Sequence, residues 1–218
     1  MSLHILNIFL FCLLFSFGCK NDNRKANINC TDQKITTKAK QPLNIAEYRL
    51  ISRKAKNYCR SRKLESDFYL LIDLSRHSGL KRFFIWDFKK DTIINSFLVS
   101  HGCNKNPWGK DYTKEKAIVS NTDGSHCSSV GKYIIGNRSY SEWGIKIKYT
   151  LTGLDVTNSN AEKREIVLHS WNRVPEQEVF PNGCPEGWGC HAISNTSLKL
   201  IDTKLRSSKK NVLLWIII

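Results

Sequence analysis

Apolar residues recur along this chain with two different periods. Between residues 42 and 63, Tyr48, Ile51, Ala55 and Tyr58 fall near i, i+3, i+7 and i+10, the spacing of one helical face, and Pro42 suits a first turn. The opposite face carries Arg49, Arg53, Lys54, Lys56, Arg60, Arg62 and Lys63 and reads as solvated. From residue 67 the pattern shortens to strand-length runs rich in Ile, Val and aromatics. DFYLLIDLS, RFFIWDF and TIINSFLVS come first, the last two split by the turn-like Lys89-Lys90-Asp91. GKYIIGN, GIKIKYTL, REIVLHS and NVLLWIII follow. Residues 158–164 suit a short helix, and Ser194 is a good N-cap for a helix over residues 196–206. The pattern predicts a mainly β domain with one or two peripheral helices.

The N-terminus breaks this pattern. LHILNIFLFCLLFSFG has the length of a signal h-region and is too short for a comfortable membrane span. It ends in Gly18-Cys19, a small residue before a cysteine, which resembles a bacterial lipobox with Cys19 as the lipidated residue; a plain signal peptide or an uncleaved anchor is the alternative. The basic residues Lys20, Arg24 and Lys25 follow the apolar run instead of preceding it. The expected organisation is a lipoprotein signal peptide over 1–18, a polar flexible tether over 19–40, an N-terminal helix over 41–65 and one catalytic-size domain over 66–218. The expected location is a bacterial cell envelope, with membrane contact through an N-terminal lipid.

Composition adds limits. At 41% hydrophobic residues the chain can bury an ordinary core without disulfides as its main support. The net charge of +15 favours polyanionic neighbours, but its Lys and Arg are dispersed and not interleaved with aromatics, so nucleic acid is not expected as a partner. There are eight cysteines. Removing Cys12 with the signal and Cys19 with lipid leaves Cys30, Cys59, Cys103, Cys127, Cys184 and Cys190. Cys103 and Cys127 sit in similar polar loops, SHGCN and GSHCSS, and a disulfide between them suits an oxidising envelope. A metal site from His101, Cys103, His126 and Cys127 fits no usual zinc spacing, so no metal or other cofactor is expected.

The chemistry concentrates near the C-terminus. His169 closes an apolar strand, and Cys190 follows Trp188-Gly189 in a turn too rich in Pro and Gly to be a helix or strand interior. Gly189 permits close backbone approach, and the amides of Gly189 and Cys190 can converge on one oxyanion. A thiol with a histidine as base is a nucleophile at neutral pH, and the downstream helix start is expected to favour a thiolate. A structural cysteine is the plain alternative. Cys184 is a rival nucleophile and His191 a rival base, although adjacent side chains on an extended segment point oppositely.

From about residue 66 onward the chain resembles the murein L,D-transpeptidase catalytic-domain family, the YkuD-like group, in its longer-loop bacterial branch. The stretches that carry the resemblance are DLSRHSG, RFFIWD, VSHGC, SNTDGSHCSSVGKY, GIKIKYTLTGLDVTNSNAEKREIVLHSW and EGWGCHAIS, in the family's order. It implies a curved mixed sheet or β-sandwich and cysteine-dependent acyl transfer on peptidoglycan stem peptides, with Cys190 as nucleophile and His169 as base. Trp188, His191, Trp171, Gly102, Ser128 and Ser129 would then line the substrate groove. Three positions depart from the family pattern: Gly187 replaces a serine, His191 a proline, and Ala192 an arginine. An L,D-carboxypeptidase with the same dyad and a catalytically silent wall-binding lipoprotein are the alternatives. A monomer is expected.

Overall fold

A computed structural model describes residues 42–218. The expected signal peptide, tether, lipidated Cys19 and Cys30 lie outside the described residues. Among the described residues, no helix is long and apolar enough to cross a membrane.

Helix α1 spans Ile45–Ser61, with Asn44 as its N-cap accepting the Glu47 amide. Pro42 therefore precedes the helix. Its buried residues are Tyr48, Ser52, Ala55 and Cys59, so the inward face is turned slightly from the expected one, leaving Ile51 and Tyr58 at its border. Eight strands follow in one sheet: β1 (Phe68–Asp73), β2 (Phe83–Asp87), β3 (Thr92–Phe97), β4 (Gly131–Tyr140), β5 (Ile147–Gly153), β6 (Val167–Ser170), β7 (His191–Ile193) and β8 (Val212–Ile217), with helix α2 (Asn195–Ser207) before β8. Ser194 caps α2 as expected, its hydroxyl accepting the Ser197 amide. Residues 158–164 do not form the expected helix. One 3-10 turn, Val156–Asn158, precedes them, and Asn158 spends its side chain on Lys132 O and Asp155 N instead of extending a helix.

The strand order is β3-β2-β1-β8-β4-β5-β6-β7. β1 pairs in parallel with β8 and β6 in parallel with β7; the other neighbours are antiparallel. The sheet curls nearly into a barrel. The segment leaving β3 comes back against β7, where Ser100 N donates to Ala192 O at 2.8 Å and Ala192 N to Ser100 Oγ at 3.2 Å. The fold is thus a mixed, strongly curved sheet with two helices.

Both sheet faces are covered, and β1 shows why its run is continuously apolar. Phe68, Leu70 and Ile72 enter the larger core with Leu198, Ile201 and Leu205 of α2, while Tyr69 and Leu71 enter a second core under α1. The second core contains Tyr48, Ala55 and Cys59, so α1 is packed onto the same sheet. Trp171 and Ala192 belong to a third small cluster with Leu98, Val174 and Cys184, directly below the groove described next.

Candidate active site

β6 and β7 set the site. Along β6, Leu168 and Ser170 are buried whereas Val167 and His169 are half-buried, the period-two alternation of a strand with one covered face. In the parallel pairing, His169 lies beside Ala192 and Leu168 beside His191. His169 and Ala192 therefore share one face, and Leu168 and His191 share the other. Cys190, two positions before Ala192, falls on the His169 side. His169 and Cys190 line a single groove of about 110 Å³ together with Ser100, Trp108, Trp143, Trp171, Gly187, Trp188 and Ala192.

The imidazole has a defined tautomer. His169 Nδ1 lies 3.0 Å from the carbonyl oxygen of Ser170, and a carbonyl only accepts. Nδ1 must carry the hydrogen, and Nε2 keeps its lone pair for proton abstraction. Cys190 Sγ–H points to Glu165 O at 3.6 Å. Burial pushes the Cys190 thiol above its ordinary value, against the Val167 amide and the positive charges of Arg164 and Lys148. Burial, with Lys148, lowers His169 despite the bond to Ser170 O. Both directions favour a neutral thiol and a neutral imidazole over the thiolate expected from the sequence. The expected helix-dipole assistance also fails. β7 and Ser194 separate Cys190 from α2, whose first turn is capped by Ser194 and contacted by Glu176.

The turn carrying Cys190 is held from behind. Gly189 has φ +97°, and a Cβ there would sit 2.6 Å from Cys127 O, so only glycine fits. Ser128 Oγ accepts the Gly102 amide at 3.2 Å and donates to Gly189 O at 3.0 Å. Gly102 is bridged to Gly187, and the Cys103 amide donates to Gly187 O at 2.7 Å. Arg164 ties the same loops, donating to Ser120 O at 2.9 Å and to Ser125 Oγ at 3.3 Å.

Several sequence expectations are corrected by this placement. Trp171 and Trp188 do line the groove. His191 does not: it is fully buried on the opposite face, edge-on to Tyr133, with both ring nitrogens unpartnered. Burial and the nearby Arg82 push its pKa down to about 3, so it is neither a rival base nor a substrate contact. Ser128 and Gly102 are buried framework behind the turn that carries Cys190, and Ser129 is engaged with Tyr133 at 2.9 Å. Cys184 is fully buried and its thiol is pushed up to about 11, which removes it as a nucleophile. Cys103 and Cys127 are free thiols, so the expected disulfide is not present. His101 is held in the core by Arg82 Nη2 and Thr113 Oγ1, each at 2.8 Å, and is committed away from those thiols.

Two groove tryptophans were missed by sequence reasoning. Trp108 is the hub of an aromatic cluster, with ring centroids 5.0 Å from Trp171, 6.0 Å from Trp143 and 6.2 Å from Trp188. Trp108 and Trp143 stand in loops without periodicity. Their signal was compositional: four of the chain's six tryptophans meet at one groove.

No curated protein matches the chain. Among solved structures, the helical cell shape determining protein Pgp2 from Campylobacter jejuni is 13% identical, with a TM-score of 0.41 over 69% of this chain and 48% of that one. An L,D-transpeptidase from Xylanimonas cellulosilytica is 9% identical, with a TM-score of 0.37 over 73% of this chain and 68% of that one. The chain thus spans about half the length of the first of these relatives. The family model for the L,D-transpeptidase catalytic domain matches residues 39–215, nearly everything described above from α1 to β8, and the chain belongs to that family.

Proposed function

We propose that the chain is a cysteine-dependent L,D-transpeptidase acting on peptidoglycan stem peptides. The observation that carries this reading is the shared groove: His169 lines it from β6 and Cys190 from the turn that leads into the adjacent β7, and the Ser170 carbonyl leaves His169 Nε2 as the basic nitrogen.

Because the resting pair is neutral, proton transfer accompanies attack. His169 Nε2 takes the thiol proton as Cys190 Sγ bonds to the carbonyl carbon of the third stem residue, at its L-centre. The carbonyl electrons move to oxygen, where the Gly189 and Cys190 amides stabilise the oxyanion. Collapse breaks the C–N bond, and the proton on His169 passes to the departing amine of the terminal D-alanine. A thioester remains. An amine of a neighbouring stem then attacks it, gives a proton to His169, and forms the cross-link as sulfur leaves and is reprotonated. The reaction needs no cofactor.

We extend the reading to a monomeric, lipid-anchored envelope protein. The apolar run closing on Gly18-Cys19 supports the anchor. Lipid mass on Cys19 of the native protein, lost in Cys19→Ala, is the expected result.

Intact-mass spectrometry after exposure to a carbapenem tests the chemistry. A single adduct on the wild type and none on Cys190→Ala is expected. An adduct that survives Cys190→Ala rejects Cys190 as nucleophile, and no adduct on either makes the fold a silent one. Incubation with wall tetrapeptides should then give cross-linked dimer; tripeptide alone makes the enzyme a carboxypeptidase.

A further inference from the structure

The sheet register aligns a row of residues across three strands on the groove face. Lys148 of β5 stands opposite His169 of β6, and His169 stands beside Ala192 of β7. Directly opposed residues on neighbouring strands point to the same face, about 5 Å apart. The row thus reads ammonium, imidazole, methyl. Cys190 lies on the methyl side, one step before β7.

Lys148 is conspicuous for lacking a partner. Nearby cations are engaged: Lys132 Nζ lies 2.9 Å from Asp155, Arg138 Nε 2.6 Å from Asp202, and Lys146 Nζ donates to Glu142 O at 2.6 Å. Among the described residues, the Lys148 side chain has neither a hydrogen bond nor an ion pair, although the residue is half-buried. Its charge acts on both reactive groups, lowering His169 and opposing the rise of Cys190. An unpaired ammonium beside a groove walled by Trp108, Trp143, Trp171 and Trp188 is a cation awaiting an anion.

The reaction supplies one. His169 must stand next to the leaving amine to protonate it, and that amine belongs to a residue that ends in a free carboxylate. With Cys190 on the β7 side of His169, the leaving residue extends over β6 toward β5. We propose that Lys148 is the counter-ion of that carboxylate and the specificity-determining residue that selects donor stems ending in a free carboxylate. Ala192, on the other flank of His169, offers no charge for the task. This inference rests on the acyl-transfer reading above. It predicts that the enzyme reads donor length, because one further residue would move the carboxylate past Lys148.

The test compares two synthetic tetrapeptide donors, identical except that one ends in a carboxylate and the other in a carboxamide. The readout is the rate of thioester formation on Cys190 by intact mass, below and above saturation. Wild type should acylate with the carboxylate donor on the order of ten- to a hundred-fold faster, the size of one hydrogen-bonded contact to a charged group. Lys148→Met should slow the carboxylate donor to the carboxamide's rate, and Lys148→Arg should restore the preference. Carbapenem labelling of Cys190 reports that each variant is folded and reactive. If Lys148→Met stays reactive and keeps the preference, the Lys148 assignment is overturned and the acyl-transfer reading stands. Equal wild-type rates on the two donors overturn the assignment in the same way. If wild type is acylated by neither donor nor carbapenem, both readings fall together.

Discussion

Ser128 holds the carbonyl of Gly189 at 3.0 Å, so a side chain far upstream in the sequence fixes the turn that carries Cys190. The same hydroxyl accepts the Gly102 amide, and removing it strands two buried backbone groups. Ser128→Ala should cost about 1–3 kcal/mol of stability. It should also slow carbapenem acylation of Cys190 roughly tenfold, because the amides of the catalytic turn lose their aim. Denaturant melts and acylation kinetics check the two effects separately.

Gly189→Ala should be more severe at the site. The positive φ and the 2.6 Å approach to Cys127 O mean that a methyl group must displace backbone. A loss of about 1–3 kcal/mol is expected from the conformation alone. Acylation should fall by at least a hundredfold while circular dichroism stays that of the wild type.

The pH profile follows from a neutral resting pair. Since burial lowers His169, the acid limb of kcat/KM should lie below the ordinary histidine value of about 6.5. Because burial raises Cys190, alkylation by iodoacetamide should increase only at pH above the ordinary thiol range. A profile that instead climbs with thiolate formation near neutrality would require a preformed ion pair.

Much of this site could be read along the chain, and what could not has physical causes. His169 and Cys190 were legible because each ends a distinctive local pattern, an apolar strand and a Gly-flanked turn. β7 was not, because three residues carry no period. His191 looked like a groove residue because it adjoins Cys190, yet the strand pleat sends it into the core beside Tyr133. Ser128 was singled out, but its role behind the turn depends on a contact from another loop. Trp108 and Trp143 lie in irregular loops, and only the folded sheet brings them to the same groove.

His191 makes a stability prediction with a definite sign. Its folded pKa of about 3 lies below the ordinary value of 6.5, so the unfolded chain binds more protons between those limits. Its contribution is complete above about pH 6.5 and is lost as pH falls toward 3, by up to about 1.4 kcal/mol per unit. His191→Leu, which keeps the volume and removes two unpartnered nitrogens, should raise the Tm more at pH 5 than at pH 8. Calorimetry at both values provides the comparison.

The tryptophan cluster should govern donor affinity. Trp108 contacts the other three rings, so Trp108→Ala removes the wall shared by Trp143, Trp171 and Trp188. A tenfold or greater rise in donor KM is expected, with a smaller change in kcat.

The place of β8 has a consequence in time. This strand lies between β1 and β4, yet it is synthesised after every other strand of the sheet. Without β8 the strand order leaves two strips, β1–β3 and β4–β7, each with a bare edge where β8 belongs. A nascent chain halted before Val212 already holds both His169 and Cys190, but lacks the strand that welds the two strips into one scaffold. The strand that joins the two strips is thus made only after both groove residues, His169 and Cys190, have been.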